Sequence, residues 1–325
     1  MSLKDVFLSM LIVFCSAAVF GQNHHESAAD TVAPDIPGVV AGGTPVELVK
    51  DDFKETEGSI AFPDGGIIFT ETKTSRILKV GKDGSTSVFL ENTNGSNGLA
   101  FDSQGRLISV QVTPGMARVG VIYPKGSEAV LADNFEGKRF SRPNDLVVNK
   151  KGGVYFTDSG PSRPEEAANL EMPPAVYYIP PGGKIMKVAG GITRPNGIQL
   201  SPDERTLYVN DWIGENLVAF DVAPDGTLRN RRNLARYQGV MSTPRGINSG
   251  ADGLAVDSQG RLYSTTNAGV EIFSPQGKHL GTIPIAKKPQ NLAFSGADKR
   301  TLYVVGHFAV YKIHMLSQGL KDRAK

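Results

Sequence analysis

The chain has 325 residues, enough for one large or two ordinary domains. Hydrophobic residues make up 40% of it and charged residues 21%, which is typical of a globular protein with a sizeable core and argues against a disordered chain. The 35 basic and 33 acidic side chains leave a formal net charge of +2, which gives no support to a nucleic-acid partner or a polybasic membrane surface. The 37 glycines and 20 prolines predict frequent turns and exclude a helical bundle.

The chain begins with an apolar segment, residues 6–20 (VFLSMLIVFCSAAVF), which also holds the single cysteine. A transmembrane helix needs roughly 20 apolar residues, so this shorter run is typical of a secretory signal peptide, which we place at residues 1–21. An uncleaved anchor is the alternative, because Asp5 offsets the charge of Lys4. The sequence therefore predicts export to the periplasm or the outside, with no stable membrane association after cleavage. A single cysteine, Cys15, excludes a disulfide framework and a Cys-based zinc site, and cleavage would leave the mature chain without any cysteine.

Residues 22–43 (QNHHESAADTVAPDIPGVVAGG) follow with many small and polar residues and no hydrophobic period. Such a segment has little apolar surface to bury, and we predict a flexible leader. The globular domain is predicted over residues 44–325.

A repeat covers nearly all of this domain. Each copy has a start containing Asn, Asp, Glu or Gly, a short apolar strand, a turn, and a second apolar strand; the copies begin at Glu57, Asn97, Asn144, Asn196, Asp252 and Asn291. Further β-like runs follow each hairpin, so a unit has about four strands in roughly 40–50 residues, the size of a β-propeller blade. The sequence predicts an all-β, six-bladed β-propeller, with residues 44–49 as the outer strand of the last blade. The period is too long for a solenoid, and a sandwich lacks sixfold repetition.

The first strand of each blade lines the central channel of a propeller, so the six repeat starts converge on one mouth. The second strand returns to that mouth and ends at Glu71, Gln111, Asp158, Asp211, Thr266 and Gly306. Asn-Gly and Asp-Gly pairs suit Asx-turns and positive φ, which is one explanation for their recurrence. It does not explain two converging carboxylates, Glu57 and Asp252, whose repulsion a cation would relieve. Oxygen ligands with two negative charges suit Ca²⁺ best, then Mg²⁺ or Mn²⁺; no Cys or His favours Zn²⁺, which stays possible.

Four stretches carry a resemblance to a known family. They are EGSIAF, SRPNDLVVNKKGGVYFTD, TRPNGIQLSPDERTLYVND and GADGLAVDSQGRLY, which begin at Glu57, Ser141, Thr193 and Gly250. In their order and identities they resemble the SMP-30/gluconolactonase (SGL) family over about residues 50–315. The resemblance implies a six-bladed β-propeller with a central metal-binding channel and a lactonase activity.

The resemblance also implies roles for individual residues. Glu57, Asn196 and Asp252 match the family's metal ligands, and Asn144 is similar to a position that contacts metal or substrate. Arg142 resembles a residue that binds substrate oxygens. Asp252 would act as the general base as well as a ligand, with a metal-bound hydroxide as an equal candidate.

Two further acidic residues could orient the ligands. Asp158 and Asp211 end the second strands of blades 3 and 4, and capping of a strand end is the alternative role. Residues 159–178 depart from the sugar-binding segment of the animal gluconolactonases, and within them residues 165–170 are predicted as a loop or short helix over the mouth. Trp212 is expected either at the mouth, stacked on a ring, or in the core between blades.

The predicted function is metal-dependent hydrolysis of a lactone ring in a small-molecule lactone or ester. The sequence shows no signal for nucleophilic catalysis, since the mature chain has no cysteine and no G-x-S-x-G motif. A related metal-dependent esterase or fluorophosphatase, and a non-catalytic binding propeller, are the alternatives.

Overall fold

The computed structural model describes residues 31–161, 170–244, 246–323 and 325. The predicted signal peptide, residues 22–30 of the predicted leader and residues 165–169 of the predicted loop or short helix lie outside the described residues. Regular structure in the described part consists of β-strands and one short 3₁₀ turn, Thr72–Thr74. No helix in that part is long and apolar enough to cross a membrane.

The strands form six blades around a central channel, and two small hairpins stand between blades. The first strands, in chain order, are β1 (Thr31–Val32), β2 (Pro45–Lys50), β3 (Glu57–Ala61), β4 (Ile67–Glu71), β5 (Arg76–Val80), β6 (Thr86–Leu90), β7 (Ser96–Phe101), β8 (Leu107–Gln111), β9 (Arg118–Tyr123), β10 (Ala129–Ala132), β11 (Asn134–Phe135), β12 (Lys138–Arg139), β13 (Pro143–Val148), β14 (Val154–Asp158), β15 (Ala175–Ile179) and β16 (Met186–Gly190). The remaining strands are β17 (Pro195–Leu200), β18 (Thr206–Asp211), β19 (Asn216–Val222), β20 (Leu228–Arg236), β21 (Met241–Thr243), β22 (Gly246–Asn248), β23 (Leu254–Val256), β24 (Leu262–Thr266), β25 (Gly269–Phe273), β26 (His279–Ile283), β27 (Asn291–Ser295), β28 (Thr301–Gly306) and β29 (Ala309–His314).

Each blade is an antiparallel sheet whose strands follow one another in the chain. Blades 1 to 5 are β3–β6, β7–β10, β13–β16, β17–β20 and β23–β26. The first strand of every blade contacts the first strand of the next, and β27 of blade 6 contacts β3 of blade 1. The ring is therefore closed, and the predicted six-bladed all-β fold is confirmed.

Blade 6 joins the two ends of the chain. Its order is β27, β28, β29, β2 and β1, so strands from the beginning of the domain complete a sheet made at its end. β2 pairs antiparallel with β29, with Leu48 opposite Tyr311. This outer strand confirms the prediction for residues 44–49. Pairing of this kind joins the first and last strands of the ring in one sheet.

Residues 31–43 pack against the propeller, which makes the predicted flexible leader wrong for this part of it. Ile36, Val39 and Val40 are at most 2% exposed and belong to the core that blades 5 and 6 share. The backbone amides of Leu316 and Ser317 donate to the carbonyl of Val39 at 2.9 and 3.1 Å. The segment shows no period because it turns on itself between Ile36 and Val40, and its few apolar side chains are ordered only by contacts with distant residues.

The last described residues close the mouth of the channel at which the inner strands end. The Arg323 guanidinium donates to the carbonyls of Leu200 and Ser201, at the end of β17. Lys325 reaches into the channel, where its ammonium lies 2.5 Å from a carboxylate oxygen of Asp145. The opposite mouth, where the inner strands begin, is the one at which the predicted site residues lie.

Candidate active site

The inner strands are interrupted where the predicted ligands stand. In four of them the pairing with the second strand shifts by a β-bulge, and the shifts lie between Glu57 and Ile60, Ser96 and Leu99, Pro143 and Leu146, and Pro195 and Ile198. A bulge bends the strand and re-aims a side chain that would otherwise stand on a sheet face. In blade 5 the inner strand β23 begins only after Asp252.

The glycine after a ligand position lets adjacent inner strands approach closely. A Cβ on Gly197 would lie 2.3 Å from the carbonyl oxygen of Asp252, and one on Gly58 would lie 2.0 Å from that of Asn97. Of the glycines in this register, only Gly58 has a positive φ, of 52°. The interpretation of the Asn-Gly and Asp-Gly pairs in this register as positive-φ turns is therefore wrong, since Gly58 follows a glutamate, and close packing around the axis is the physical reason for the glycines of those pairs.

Neighbouring blades also fix the backbone of the ligand residues. The Asp252 carbonyl accepts from the Gly197 amide at 3.0 Å and from the side-chain amide of Asn210 at 2.8 Å. The Asn196 carbonyl accepts from the Thr157 hydroxyl at 2.8 Å. Each donor lies in the blade that precedes the blade of its acceptor, so the ring of ligand candidates is held in place before any ligand binds.

The side chains of this ring are buried, or half-buried in the case of Glu57, and they form few hydrogen bonds. Asn144, Asn196 and Asp252 are each 6% exposed, and neither Asn side chain hydrogen-bonds to any described residue. Asp252 Oδ1 is fully buried with no hydrogen-bond partner in the described part of the chain. Glu57 Oε1 accepts from the side-chain amide of Gln290 at 3.0 Å. A buried carboxylate oxygen without a partner is costly, so this arrangement is suited to a bound group that would supply one.

Burial and mutual repulsion govern the two carboxylates. Burial raises the pKa of Asp252 to about 7, against the lowering effect of Lys288 and Arg142. Burial, and then the charge of Asp252, raise the pKa of Glu57 well above its usual value, while Arg142 lowers it. The pair therefore holds a proton near neutral pH unless a cation replaces it.

This ring fits a divalent cation that takes oxygen ligands. No three His, Cys, Asp or Glu side chains cluster as a metal site among the described residues. A cation here would thus need the amide oxygens of Asn144 and Asn196 beside the carboxylates of Glu57 and Asp252. That donor set is hard and carries two negative charges, which matches Ca²⁺ and Mg²⁺ chemistry.

Asp158 and Asp211 hold the loops that carry the predicted ligands of blades 3 and 4. Asp158 accepts from the backbone amides of Ser141 and Arg142 at 2.8 and 2.7 Å. Asp211 accepts in the same way from Thr193 and Arg194, at 3.1 and 2.9 Å. Both carboxylates therefore hold the backbone just before Asn144 and Asn196, an arrangement that fits the orienting role and the strand-end capping role alike.

A similar pair of hydrogen bonds occurs in blade 5, at a loop that lies before the β21–β22 hairpin rather than directly before Asp252, and its acceptor is a residue that the repeat register did not point to. Glu271, on the third strand, accepts from the amides of Gln238 and Gly239 at 2.7 and 2.8 Å. Thr266, which ends the second strand, donates its hydroxyl to Glu271 and accepts from the Ala268 amide just after it, at 3.1 Å. The sequence indicated Asp158 and Asp211 because both end the second strand of a repeat. In blade 5 the acceptor lies on the third strand instead, so its position in the repeat did not indicate it.

Hydrogen bonding separates the two remaining repeat starts, in blades 2 and 6, from each other. Asn291 Oδ1 accepts from the amide of Leu292 at 2.9 Å and from Ser59, so it is occupied within the protein. Asn97 is 2% exposed and its side chain forms no hydrogen bond with a described residue, so its hydrogen bonding does not set it apart from Asn144 and Asn196; the family resemblance gives it no ligand role.

Three basic residues and one indole ring stand beside the ring of ligands. The guanidinium carbon of Arg194 lies 4.5 Å from the ring centroid of Trp212, and the Lys288 ammonium lies 5.2 Å from it. Arg142 stands two residues before Asn144, as Arg194 does before Asn196. The sequence pointed to Arg142 and raised a mouth position for Trp212, whereas Arg194 and Lys288 were missed. The repeated Arg-Pro-Asn could have indicated Arg194.

Known proteins share this architecture and these motifs. The family model described as the SMP-30/gluconolactonase/LRE-like region matches residues 55–307. The chain belongs to this family. The matched range holds the inner strands of all six blades, so the resemblance predicted from the sequence is confirmed.

Individual relatives of the SMP-30/gluconolactonase/LRE-like family cover most of the chain. A gluconolactonase of Zymomonas mobilis is 29% identical over 314 residues, which cover 88% of this chain and 86% of that protein. The structure of a gluconolactonase from Xanthomonas campestris is 29% identical with a TM-score of 0.74, covering 88% of this chain and 97% of that one. A luciferin-regenerating enzyme shares the fold at 16% identity, with a TM-score of 0.70 over 86% of this chain and 98% of that one.

Proposed function

We propose that this protein is a lactonase that hydrolyses the ring ester of a sugar lactone with the help of one divalent cation. The observation that carries the proposal is the buried, unpartnered carboxylate oxygen of Asp252, in a ring with Glu57 and two Asn amides. Family membership and the gluconolactonase relatives support a hydrolase that acts on carboxylic esters.

The cation is proposed from the chemistry of the donors. Glu57, Asn144, Asn196 and Asp252 would hold it, and their oxygen atoms favour Ca²⁺, then Mg²⁺ or Mn²⁺, over Zn²⁺. When bound there, a divalent cation would polarise the lactone carbonyl as a Lewis acid and lower the pKa of a bound water molecule.

Asp252 is the proposed general base. Burial raises the pKa of its carboxyl to about 7 in the metal-free site, and a bound cation would lower this pKa, so the carboxyl would be ionised at neutral pH and able to accept a proton. It takes a proton from the attacking water as the water oxygen bonds to the carbonyl carbon. The ring C–O bond then breaks, and the proton passes to the departing ring oxygen, which gives the open-chain hydroxy acid.

Arg142 is the proposed partner of the developing oxyanion. It stands two residues before Asn144, its backbone amide is held by Asp158 at 2.7 Å, and its charge lowers the pKa of both Glu57 and Asp252. Its side chain forms no hydrogen bond or ion pair with a described residue. The group is thus free to donate to the carbonyl oxygen as negative charge grows on it.

Hydrolysis assays with a matched pair of variants test this function. Gluconolactone, phenyl acetate and a fluorophosphate are assayed on EDTA-treated protein, then with Ca²⁺, Mg²⁺, Mn²⁺ or Zn²⁺. We expect the lactone to be the best substrate, metal to restore its hydrolysis, and Asp252→Asn to lose at least a hundredfold in kcat, because general base catalysis typically contributes roughly 10²–10⁴.

Asn291→Ala is the control, since Asn291 starts an inner strand in the same register but its side chain is occupied within the protein. Equal losses in both variants would contradict the assignment of Asp252. A preference for phenyl acetate or the fluorophosphate would favour the esterase alternative, and no hydrolysis with any metal would favour a binding propeller.

Export is part of the proposal as well. The apolar run at residues 6–20 supports removal of residues 1–21 and a periplasmic or secreted mature domain without stable membrane association. Cell fractionation with mass determination of the mature amino terminus tests it. A full-length chain in the membrane fraction would instead indicate a retained anchor.

A further inference from the structure

Arg142, Arg194 and Lys288, here called the basic triad, leave positive charge at the channel mouth without a counter-charge. All three residues are only partly exposed, and their side chains form no hydrogen bond or ion pair with the described residues. Arg194 and Lys288 instead lie against the ring of Trp212, at 4.5 and 5.2 Å. A cation–π contact holds a cationic group in place and leaves its N–H donors free for another partner.

The basic triad lies close to the proposed reacting centre. Arg142 and Arg194 stand two residues before Asn144 and Asn196, in loops whose amides Asp158 and Asp211 accept from. The Trp212 amide donates to the Arg194 carbonyl, and the Gly250 amide donates to the Trp212 carbonyl, each at 3.0 Å. A Cβ on Gly250, two residues before Asp252, would lie 3.1 Å from the Lys288 ammonium.

The nearby acidic groups have other partners. One divalent cation would balance the two charges of Glu57 and Asp252. Asp145, beneath them, is paired with Lys325 at 2.5 Å.

Asp158 and Asp211 turn their oxygens to the backbone amides of the loops before Asn144 and Asn196. With the cation in place, the basic triad is left facing the substrate space with three positive charges, and partly desolvated cations without a partner are unfavourable.

We propose that the lactone substrate carries a second, negatively charged group at the end of its carbon chain away from the lactone carbonyl. Arg194 and Lys288 bind that group beside the face of Trp212, while Arg142 serves the carbonyl. A carboxylate, a sulfonate or a phosphate has the acceptor geometry that a guanidinium fork and an ammonium recognise. This inference rests on the proposed lactonase function and narrows its substrate to anionic sugar lactones.

Substrate preference is the first test. The cation-loaded protein is assayed with a neutral hexonolactone and with its 6-carboxylate, 6-sulfonate and 6-phosphate counterparts. We expect kcat/KM to be at least tenfold higher for one or more anionic lactones, and higher salt to reduce the difference. Arg194→Gln and Lys288→Gln should each lower the ratio of anionic to neutral kcat/KM about tenfold, chiefly through KM.

Arg229→Gln is the matched control. Arg229 is an exposed residue on the outer strand β20, so its loss should leave the ratio unchanged. A neutral lactone that is hydrolysed as well as all three anionic ones would overturn the anion subsite and leave the lactonase proposal standing. A ratio that survives both Arg194→Gln and Lys288→Gln would also overturn it.

Calorimetric binding of the open-chain acids separates the subsite from turnover. The probes are the monocarboxylate, the dicarboxylate, and the acids with a 6-sulfonate or 6-phosphate, titrated into the cation-loaded protein. We expect a doubly anionic acid to bind about tenfold tighter than the monocarboxylate, and this gain to be lost in Arg194→Gln. Tighter binding of the doubly anionic acids by a protein that does not hydrolyse lactones would support the subsite and contradict the lactonase. Equal affinities for all four acids would overturn the subsite, whatever the rates of lactone hydrolysis are.

Discussion

At the scale of single residues, the main feature of the site is a buried carboxylate oxygen without a hydrogen-bond partner. Asp252 Oδ1 has no partner in the described part of the chain, and its pKa is raised to about 7, chiefly by burial. Burial, and then the charge of Asp252, also raise the pKa of Glu57. When both of these acids are ionised, their repulsion destabilises the folded state. A bound cation would remove the repulsion and so stabilise the fold.

The metal-free protein should therefore lose stability as pH rises from about 4 to about 7. In this window the native state binds more protons than the unfolded one, because its Asp252 carboxyl has the higher pKa, so the free energy of unfolding falls with pH. Denaturant unfolding in EDTA at pH 5 and pH 8 measures the slope. The double variant Glu57→Gln with Asp252→Asn should reduce the slope to what other groups contribute, among them Asp158, whose pKa burial also raises. Asp225→Asn, at an exposed turn, should keep the full slope. A slope that is undiminished in the double variant would show that Glu57 and Asp252 do not cause it.

The sequence predicted the ring of ligand candidates but not the side chains that surround it. The ring follows a repeat, so its members could be read from their register and from the family resemblance. Lys288 and Gln290 lie before the inner strand of blade 6, in a connection that no other blade copies. Their contacts with Trp212 and Glu57 exist only because the ring brings different blades together.

At the scale of elements, the inner strands combine a bulge with a glycine where they meet around the axis. Gly197 shows why: its amide donates to the Asp252 carbonyl, and a Cβ there would lie 2.3 Å from that same oxygen. The pattern that the sequence suggested as a turn preference is a packing requirement between neighbouring blades. Sequence alone does not distinguish the two, since both select glycine.

Gly197→Ala should accordingly damage both stability and cation binding. Overpacking of this kind costs about 1–3 kcal/mol, and relief of the clash would displace the Asp252 backbone. Gly190→Ala is the control, because its Cβ would meet only the Lys187 side chain, at an ordinary 3.6 Å. Urea unfolding and calorimetric titration with Ca²⁺ measure the two effects. If Gly197→Ala behaved like Gly190→Ala in both, the close approach of β17 to blade 5 would be contradicted.

At the scale of the whole molecule, both ends of the domain pack onto the propeller. The beginning completes blade 6 and packs on blades 5 and 6, and the tail lies at the channel mouth. The pairing of β2 with β29 was predicted from the leftover strand at residues 44–49. The packing of residues 31–43 was not, because their burial depends on blades 5 and 6 and leaves no periodic pattern. The tail that ends at Lys325 was not predicted either, since it lies beyond the last repeat and its partner, Asp145, is 180 residues away.

The buried pair of Lys325 and Asp145 should be a large single contribution to stability. The two side chains are only 5% and 1% exposed. Removing one partner of such a pair typically costs about 3–5 kcal/mol, because the other charge stays buried and unpaired. Lys325→Met should therefore destabilise the protein strongly in urea unfolding, and Asp145→Asn added to it should recover most of the loss. Equal stability of Lys325→Met and wild type would show that the tail does not occupy the channel.

The most direct test of the account is a titration of metal-free protein with Ca²⁺, in which binding heat and lactone hydrolysis are measured on the same samples. We predict one cation per chain and hydrolysis that rises in proportion to occupancy, with neither signal in the double variant Glu57→Gln with Asp252→Asn. Hydrolysis at full rate in EDTA, or unchanged Ca²⁺ binding by the double variant, would contradict a catalytic cation held by the inner strands.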